Sequence, residues 1–411
     1  MEKRKGTFFA IYFAYFLDYF GYALVFGIFG PLLLDPDFGM FPVEASIKSR
    51  NIALGVLFAV YPLVQFITAP IFGDFADHFG RKKTFYILST GSMIGYFISG
   101  LAIYVCSFPL LLLSRFITGA FSSHRGICMA SLSDLSPDEK SRSKSYGTLS
   151  TLGGVSWILS ILTGGFVSQK LSPALPFWIT TFLCLIGLGA IYLFFHEPHE
   201  TKESFTFDPW KGIRHINSCF QITGIRSLYL FYLVLMMGWG INLLWLNPYT
   251  LSRYNVSPQV LFTLLASTGV IWALGSSILN KLLLKRLKPH EIAWMGSLGL
   301  LIVFIFCSFA NSIVFFAICI LLASTFGSIA WPNALSTISL QAPEDIQGKV
   351  MGISQSFGSF ALLLAPLIAG ITAGINIFYV YPMAAVFILI AIGILSYAIR
   401  NQPKVVHETK S

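Results

Sequence analysis

Residues 73–85 read GDFADHFGRKKTF, between the apolar runs YPLVQFITAPIF at 61–72 and YILSTGSMIGYFISGLAIYV at 86–105. Asp74, Asp77, Arg81, Lys82 and Lys83 crowd into this short piece. Charge is costly in hydrocarbon, so a dense polar knot between apolar runs reads as a tight turn joining two membrane helices at the water boundary. The rest of the chain follows from that reading.

The 411 residues are 55% hydrophobic, 16% aromatic and 11% charged, where a soluble domain carries roughly 25% charged residues. Mean hydropathy is +0.73. The composition is that of an integral membrane protein whose partner is the lipid bilayer. The net charge of +9 then marks cytoplasmic loops, and no nucleic-acid partner is expected. The basic start MEKRKGTFF leads into an apolar run too long for a signal peptide, so it reads as the first membrane helix. The six cysteines form no CxxC pair and read as isolated thiols.

A span takes about 20 apolar residues. Runs of that kind lie at 8–33, 51–73, 84–106, 108–132, 146–168 and 174–195, then at 226–250, 258–280, 290–310, 312–338, 349–372 and 377–399. Helices are expected throughout, because each satisfies its own backbone in lipid. The fold class is all-α: a polytopic membrane protein of twelve transmembrane helices in two six-helix bundles. The N-terminal bundle is 1–195, the cytoplasmic linker 196–225, and the C-terminal bundle 226–411 with a short tail. With twelve spans, 21 Lys and Arg fall on the side of the termini and four on the other, Lys48, Arg50, Lys170 and Arg253. That asymmetry places both termini in the cytoplasm of a cell-membrane protein, the inner membrane if bacterial. The linker begins HEPHE, which lacks the HExxH zinc spacing and reads as solvated chain. No metal, cofactor or nucleotide P-loop is indicated, and the spans hold no cluster suited to an intramembrane enzyme.

The halves echo each other. DLSPDEKSRSKSYGTLS follows the fourth span and LQAPEDIQGKVMGISQS the tenth, with Pro137 and Pro343 separated by 206 residues. Internal repeats of this kind mark secondary transporters.

The opening stretch has the skeleton G-x-x-x-D-x-x-G-R-K on Gly73, Asp77, Gly80, Arg81 and Lys82. Glycines allow a short turn and close helix approach, an acid suits a helix N-terminus, and the bases can pair with acids of adjacent loops. This skeleton resembles the loop 2–3 signature of the major facilitator superfamily. The resemblance implies two bundles rocking around a central site. It also implies a cytoplasmic gate in which Asp77 meets the N-terminus of helix 11 and Arg81 meets Asp134, with Arg142 placed in the same gate. Within the superfamily the chain is most similar to twelve-helix drug–proton antiporters, including tetracycline-efflux proteins. The likeness rests on LDYFGYALVFGIFGP in helix 1, on RFITG with Arg115 and Gly119 in helix 4, and on DLSPDEKSR. Helix 5 departs: SWILSILTGG keeps Gly164 and Gly165 but has Ser160 and Ile161 where the antiporter motif has Gly-Pro, while helix 11 carries APLIAG. Proton-coupled efflux of a drug-like or amphipathic solute by a monomer is the expectation. A proton-coupled importer of a metabolite or siderophore remains the alternative.

Ionisable residues within spans are functional candidates. Counted at 1.5 Å per residue, Asp18 lies about 15 Å from the cytoplasmic edge and Arg115 about 20 Å, so the two can pair across helices 1 and 4 and are the proton-coupling candidates. Arg125 is expected to snorkel to the interface, with His124 a weaker proton-relay candidate beside it. Trp239, Asn242 and Trp245 in helix 7, Asn333 in helix 10 and Gln355 in helix 11 combine aromatic and amide groups suited to a small organic solute.

Overall fold

A computed structural model describes residues 2–35, 40–135, 139–197, 225–341 and 347–400. The first half holds α1 (Glu2–Leu34), α2 (Ile47–Phe79), α3 (Arg81–Tyr104), α4 (Phe108–Ala120), α5 (His124–Leu135), α6 (Glu139–Lys170) and α7 (Leu175–Phe194). The second holds α8 (Arg226–Tyr254) and α9 (Pro258–Leu274), the latter continuing through a π turn at Gly275–Leu279 into α10 (Asn280–Leu283). It ends with α11 (Pro289–Phe309), α12 (Ile313–Leu340), α13 (Gln347–Ile375) and α14 (Val380–Arg400). The protein is an all-α, multi-pass membrane protein; among the described residues eleven helices are long and apolar enough to cross a bilayer.

The fourth expected span, 108–132, is two helices. The chain leaves helical geometry at Phe121–Ser123 and resumes at His124. Opening a helix inside a membrane strands backbone carbonyls that must find donors. Here Ser92 Oγ donates to the Phe121 carbonyl at 3.1 Å, and Gln65 Nε2 donates to the Ser122 carbonyl at 3.1 Å.

The polar knot is also tighter than expected. α2 runs on to Phe79 and α3 starts at Arg81, leaving Gly80 alone as the turn. Gly80 has φ 95° and ψ 155°, a region open essentially to glycine.

In the first half α1 packs on α6 and α7, and α3 on α4 and α7; in the second, α11 packs on α12 and α14, and α8 on α13 and α14. The halves meet where α2 lies along α13, α6 along α9 and α1 against α8. The closest of these contacts lie at the end away from the termini. A Cβ on Gly55 would stand 2.6 Å from the Pro366 carbonyl oxygen, so only hydrogen fits there. Asn51 Nδ2 donates to the Ala373 carbonyl at 3.4 Å, and Asn247 Nδ2 donates to that of Phe26 at 2.6 Å. Toward the termini the contrast is plain: a Cβ on Gly73 would meet nothing within 4 Å. Gly73 therefore makes no close helix approach in this conformation. Phe97, Phe166, Phe182 and Leu389 are more than half exposed, as a lipid-facing surface requires.

Candidate functional site

Asp18 sits midway along α1 with its side chain 4% exposed. An isolated carboxylate there would be expensive. Its partners come from the start of α5: Arg125 Nε lies 3.1 Å from Asp18 Oδ2, and His124 Nδ1 lies 3.5 Å from Oδ1. The Arg125 guanidinium also rests on the rings of Tyr19 at 4.6 Å and Tyr22 at 4.9 Å. Arg125 therefore turns inward and does not snorkel, and it takes the place expected of Arg115. The depth count explains the difference. Measured from the far end, Asp18 is 16 residues before Leu34 and Arg125 is 17 residues after Phe108, about 24 and 25 Å at 1.5 Å per residue. The apolar run 8–33 is longer than a core of about 30 Å needs, so counting from Phe8 placed the acid too deep; from the far end Arg115 is only seven residues past Phe108, about 10 Å.

Arg115 has another environment. It is 2% exposed and stacks over Tyr61 at 4.6 Å and Phe29 at 5.6 Å. Its Nη1 donates to Thr118 Oγ1 at 3.5 Å, while Nε is buried without a hydrogen bond. Among the described residues no carboxylate pairs with it. Aromatic faces supply the electron density that holds this cation.

At the end of the termini, Arg81 Nε meets Asp134 Oδ2 at 3.3 Å. The N-terminus of α3 is capped by a residue the sequence reading assigned to solvated linker: Glu197 accepts from the backbone N–H of Arg81 at 3.0 Å and of Lys82 at 2.8 Å. A carboxylate on two free amides at a helix start is favourable for hydrogen bonding and for the helix dipole. Lys82 Nζ donates to the Tyr192 carbonyl at 3.2 Å, so α7 and the first linker residues are tied to the knot. The side chains of Asp77 and Arg142 lie outside the described residues, as does linker segment 198–224.

In the second half, Trp239 of α8 lies 4.9 Å from Trp272 of α9, which lies 6.3 Å from Trp331 of α12. Trp331 Nε1 donates to Tyr232 Oη at 3.0 Å. Trp239 and Trp331 line a cavity of about 10 Å³ with Leu235, Met236 and Leu300. Trp272 went unsingled in the sequence, where ASTGVIWALG shows one aromatic in an otherwise plain run. Other sequence candidates have different occupations. Asn242 accepts from Tyr381 Oη at 3.3 Å, Trp245 is fully buried beside Gly370, and Asn333 Nδ2 donates to Asn280 Oδ1 at 2.6 Å. Gln355 has its side chain outside the described residues. Among the described residues no group of three or more His, Cys, Asp or Glu is placed to hold a metal, and the five described cysteines are free thiols.

Two halves of spanning helices meet along a seam, with a buried charge cluster in the first and an aromatic wall in the second. The model of the Major Facilitator Superfamily matches residues 11–313 and 292–411, and the chain belongs to that superfamily. It is 25% identical to the class C tetracycline resistance protein of Escherichia coli over 86% of each chain. It is 26% identical to the quinolone resistance protein NorA of Staphylococcus aureus over 90% of each. Among solved structures, the human organic anion transporter MFSD10 superposes with a TM-score of 0.71 at 17% identity, covering 95% of this chain and 99% of that one.

Proposed function

We propose that this transporter exports a small, drug-like or amphipathic organic solute in exchange for protons, working as a monomer in the cell membrane with both termini in the cytoplasm. The observation that carries the reading is the Asp18–His124–Arg125 cluster, in which the one described acid deep within a span is held between an imidazole and a guanidinium. Similarity to proteins named for tetracycline and quinolone resistance supports export. The Trp239–Trp272–Trp331 wall supports a flat, partly apolar solute. Rocking of the halves would exchange the seam at the far end for the Gly73–Lys82 gate at the other, where Arg81 holds Asp134.

The test is flux in proteoliposomes under an imposed pH gradient, screened first by thermal shift against antibiotics, metabolites and siderophores. Accumulation on the acidic side of the membrane supports export by exchange. Accumulation on the alkaline side overturns export and selects the importer.

A further inference from the structure

Residues 281–290, where α10 gives way to α11, read KLLLKRLKPH. Lys281, Lys285, Arg286 and Lys288 are all exposed. The nearest acid in the chain, Glu291, turns back on the backbone, where its Oε2 accepts from the Lys288 amide at 2.7 Å. Among the described residues none of the four bases pairs with a carboxylate. The corresponding connection in the first half differs. Between α2 and α3, Arg81 meets Asp134 and Lys82 donates to the Tyr192 carbonyl. There the bases tie helices together; at 281–288 they face outward.

The apolar residues among them show what they face. The span containing α9 and α10 runs to Leu283. Near that end Ile278 is 57% exposed, Leu282 53% and Leu284 45%. Apolar side chains exposed on a spanning helix lie against acyl chains. Bases interleaved with them at the last turn of a span stand at the level of the lipid headgroups, within reach of phosphate along their flexible stems. A general bias of positive charge toward one side needs only the count of bases. It does not need them set among lipid-facing leucines with their counter-charges withheld. Clusters of four or more bases in such a position suit anionic lipid.

The stretch is also joined to the solute path. α9 enters α10 through the π turn Gly275–Leu279, a departure from α geometry that recurs at functional sites. Gly275 leaves no room for a Cβ against Ser328 of α12, and Asn280 Oδ1 accepts from Asn333 Nδ2 of α12 at 2.6 Å. Trp272 of the aromatic wall lies three residues before Gly275 on the same helix.

We propose that residues 281–288 bind the headgroup phosphates of anionic phospholipids, and that the bound lipid steadies the π turn and the Trp272 end of α9. Arg286 can offer two parallel N–H donors to one phosphate, and the lysines serve as point charges around it. The orientation proposed above fixes only the leaflet, which is the one on the side of the termini.

The experiment uses the full chain in vesicles containing phosphatidylglycerol or phosphatidylcholine that carries a photoactivatable group on the acyl chain close to the headgroup. Adducts are mapped by mass spectrometry after digestion. Phosphatidylglycerol should label residues 278–288 several-fold more than phosphatidylcholine at equal mole fraction. The ratio should fall to about one in Lys281→Gln/Lys285→Gln/Arg286→Gln/Lys288→Gln and persist in Lys281→Arg/Lys285→Arg/Lys288→Arg, which keeps the charge. Equal labelling by the two lipids in wild type, or an unchanged ratio in the neutral variant, overturns the site. Absence of adducts from either lipid means that protein covers the stretch, and loss of labelling in millimolar inorganic phosphate means that the ligand is a soluble anion; each overturns the lipid assignment. Amide exchange at residues 272–284 should slow several-fold in phosphatidylglycerol relative to phosphatidylcholine, and equal exchange overturns the effect on α9. Neither readout involves a solute or a pH gradient, so a failure here leaves the export reading standing, and a failure of export leaves the lipid site standing.

Discussion

Asp18 and Gly80 show how much a single position can carry. Asp18→Asn leaves Arg125 without its carboxylate. Breaking a buried pair on one side costs about 3–5 kcal/mol when both partners are fully enclosed, but the Arg125 side chain is 32% exposed, so the loss should stay below about 3 kcal/mol. The double variant Asp18→Asn/Arg125→Gln should recover much of that stability while gradient-driven accumulation stays lost. Thermal denaturation in detergent and flux in proteoliposomes separate the two effects; a single variant that accumulates solute like wild type would make Asp18 structural. Gly80→Ala meets two obstacles: a backbone region that costs of order 1–3 kcal/mol for other residues, and a Cβ that would stand 2.7 Å from Glu197 Oε2. Melting should fall accordingly. An unchanged melt would mean that the turn relaxes.

Between elements, the helix break at Phe121–Ser123 and the cap on α3 do the positioning. Gln65→Leu should strand the buried Ser122 carbonyl and destabilise the protein by about 1–3 kcal/mol, with faster amide exchange at residues 121–125; unaltered exchange would show that the break needs no donor from α2. Glu197→Gln keeps the size of the cap but removes its charge, and should cost about 0.3–2 kcal/mol, read as faster exchange at the Arg81 and Lys82 amides. The sequence made the spans legible because apolar runs of the required length are hard to mistake, and the Arg81–Asp134 contact was reachable through the resemblance. The break was not legible. Phe121, Ser122 and Ser123 look unremarkable in a span, and what interrupts the helix is the pair of donors that α2 and α3 bring to it. With the break hidden, Arg125 was read as an interface anchor and Arg115 as the partner of Asp18. Glu197 was missed for a related reason: polar composition marks chain near water, and says nothing about which amides a carboxylate finds there.

For the molecule as a whole, the seam between the halves sets the conformation. Gly55→Val should force α2 away from the Pro366 backbone, which has no side chain to swing aside. In a background without native cysteines, crosslinking between cysteines placed at 51 and 373 should drop several-fold, and unchanged crosslinking would show that the helices absorb the extra bulk. The orientation can be checked in the same background: membrane-impermeant reagent outside the cell should label a cysteine at Ser46 and leave one at Ser204 untouched, and the reverse pattern would invert the assignment of both termini. The seam's described contacts are uncharged, glycine against backbone or ring and amide against carbonyl, while the knot at the other end holds an ion pair. Mobile ions screen exposed charges more than about 10 Å apart at 0.1 M ionic strength; the Arg81–Asp134 pair is partly sheltered from them, and neutral amides give them still less to act on. If both termini are cytoplasmic, as proposed, the salinity of the external medium would leave the outer door's free energy nearly untouched, and what salt dependence the transporter has would come from the ionic strength inside the cell, which the cell itself regulates.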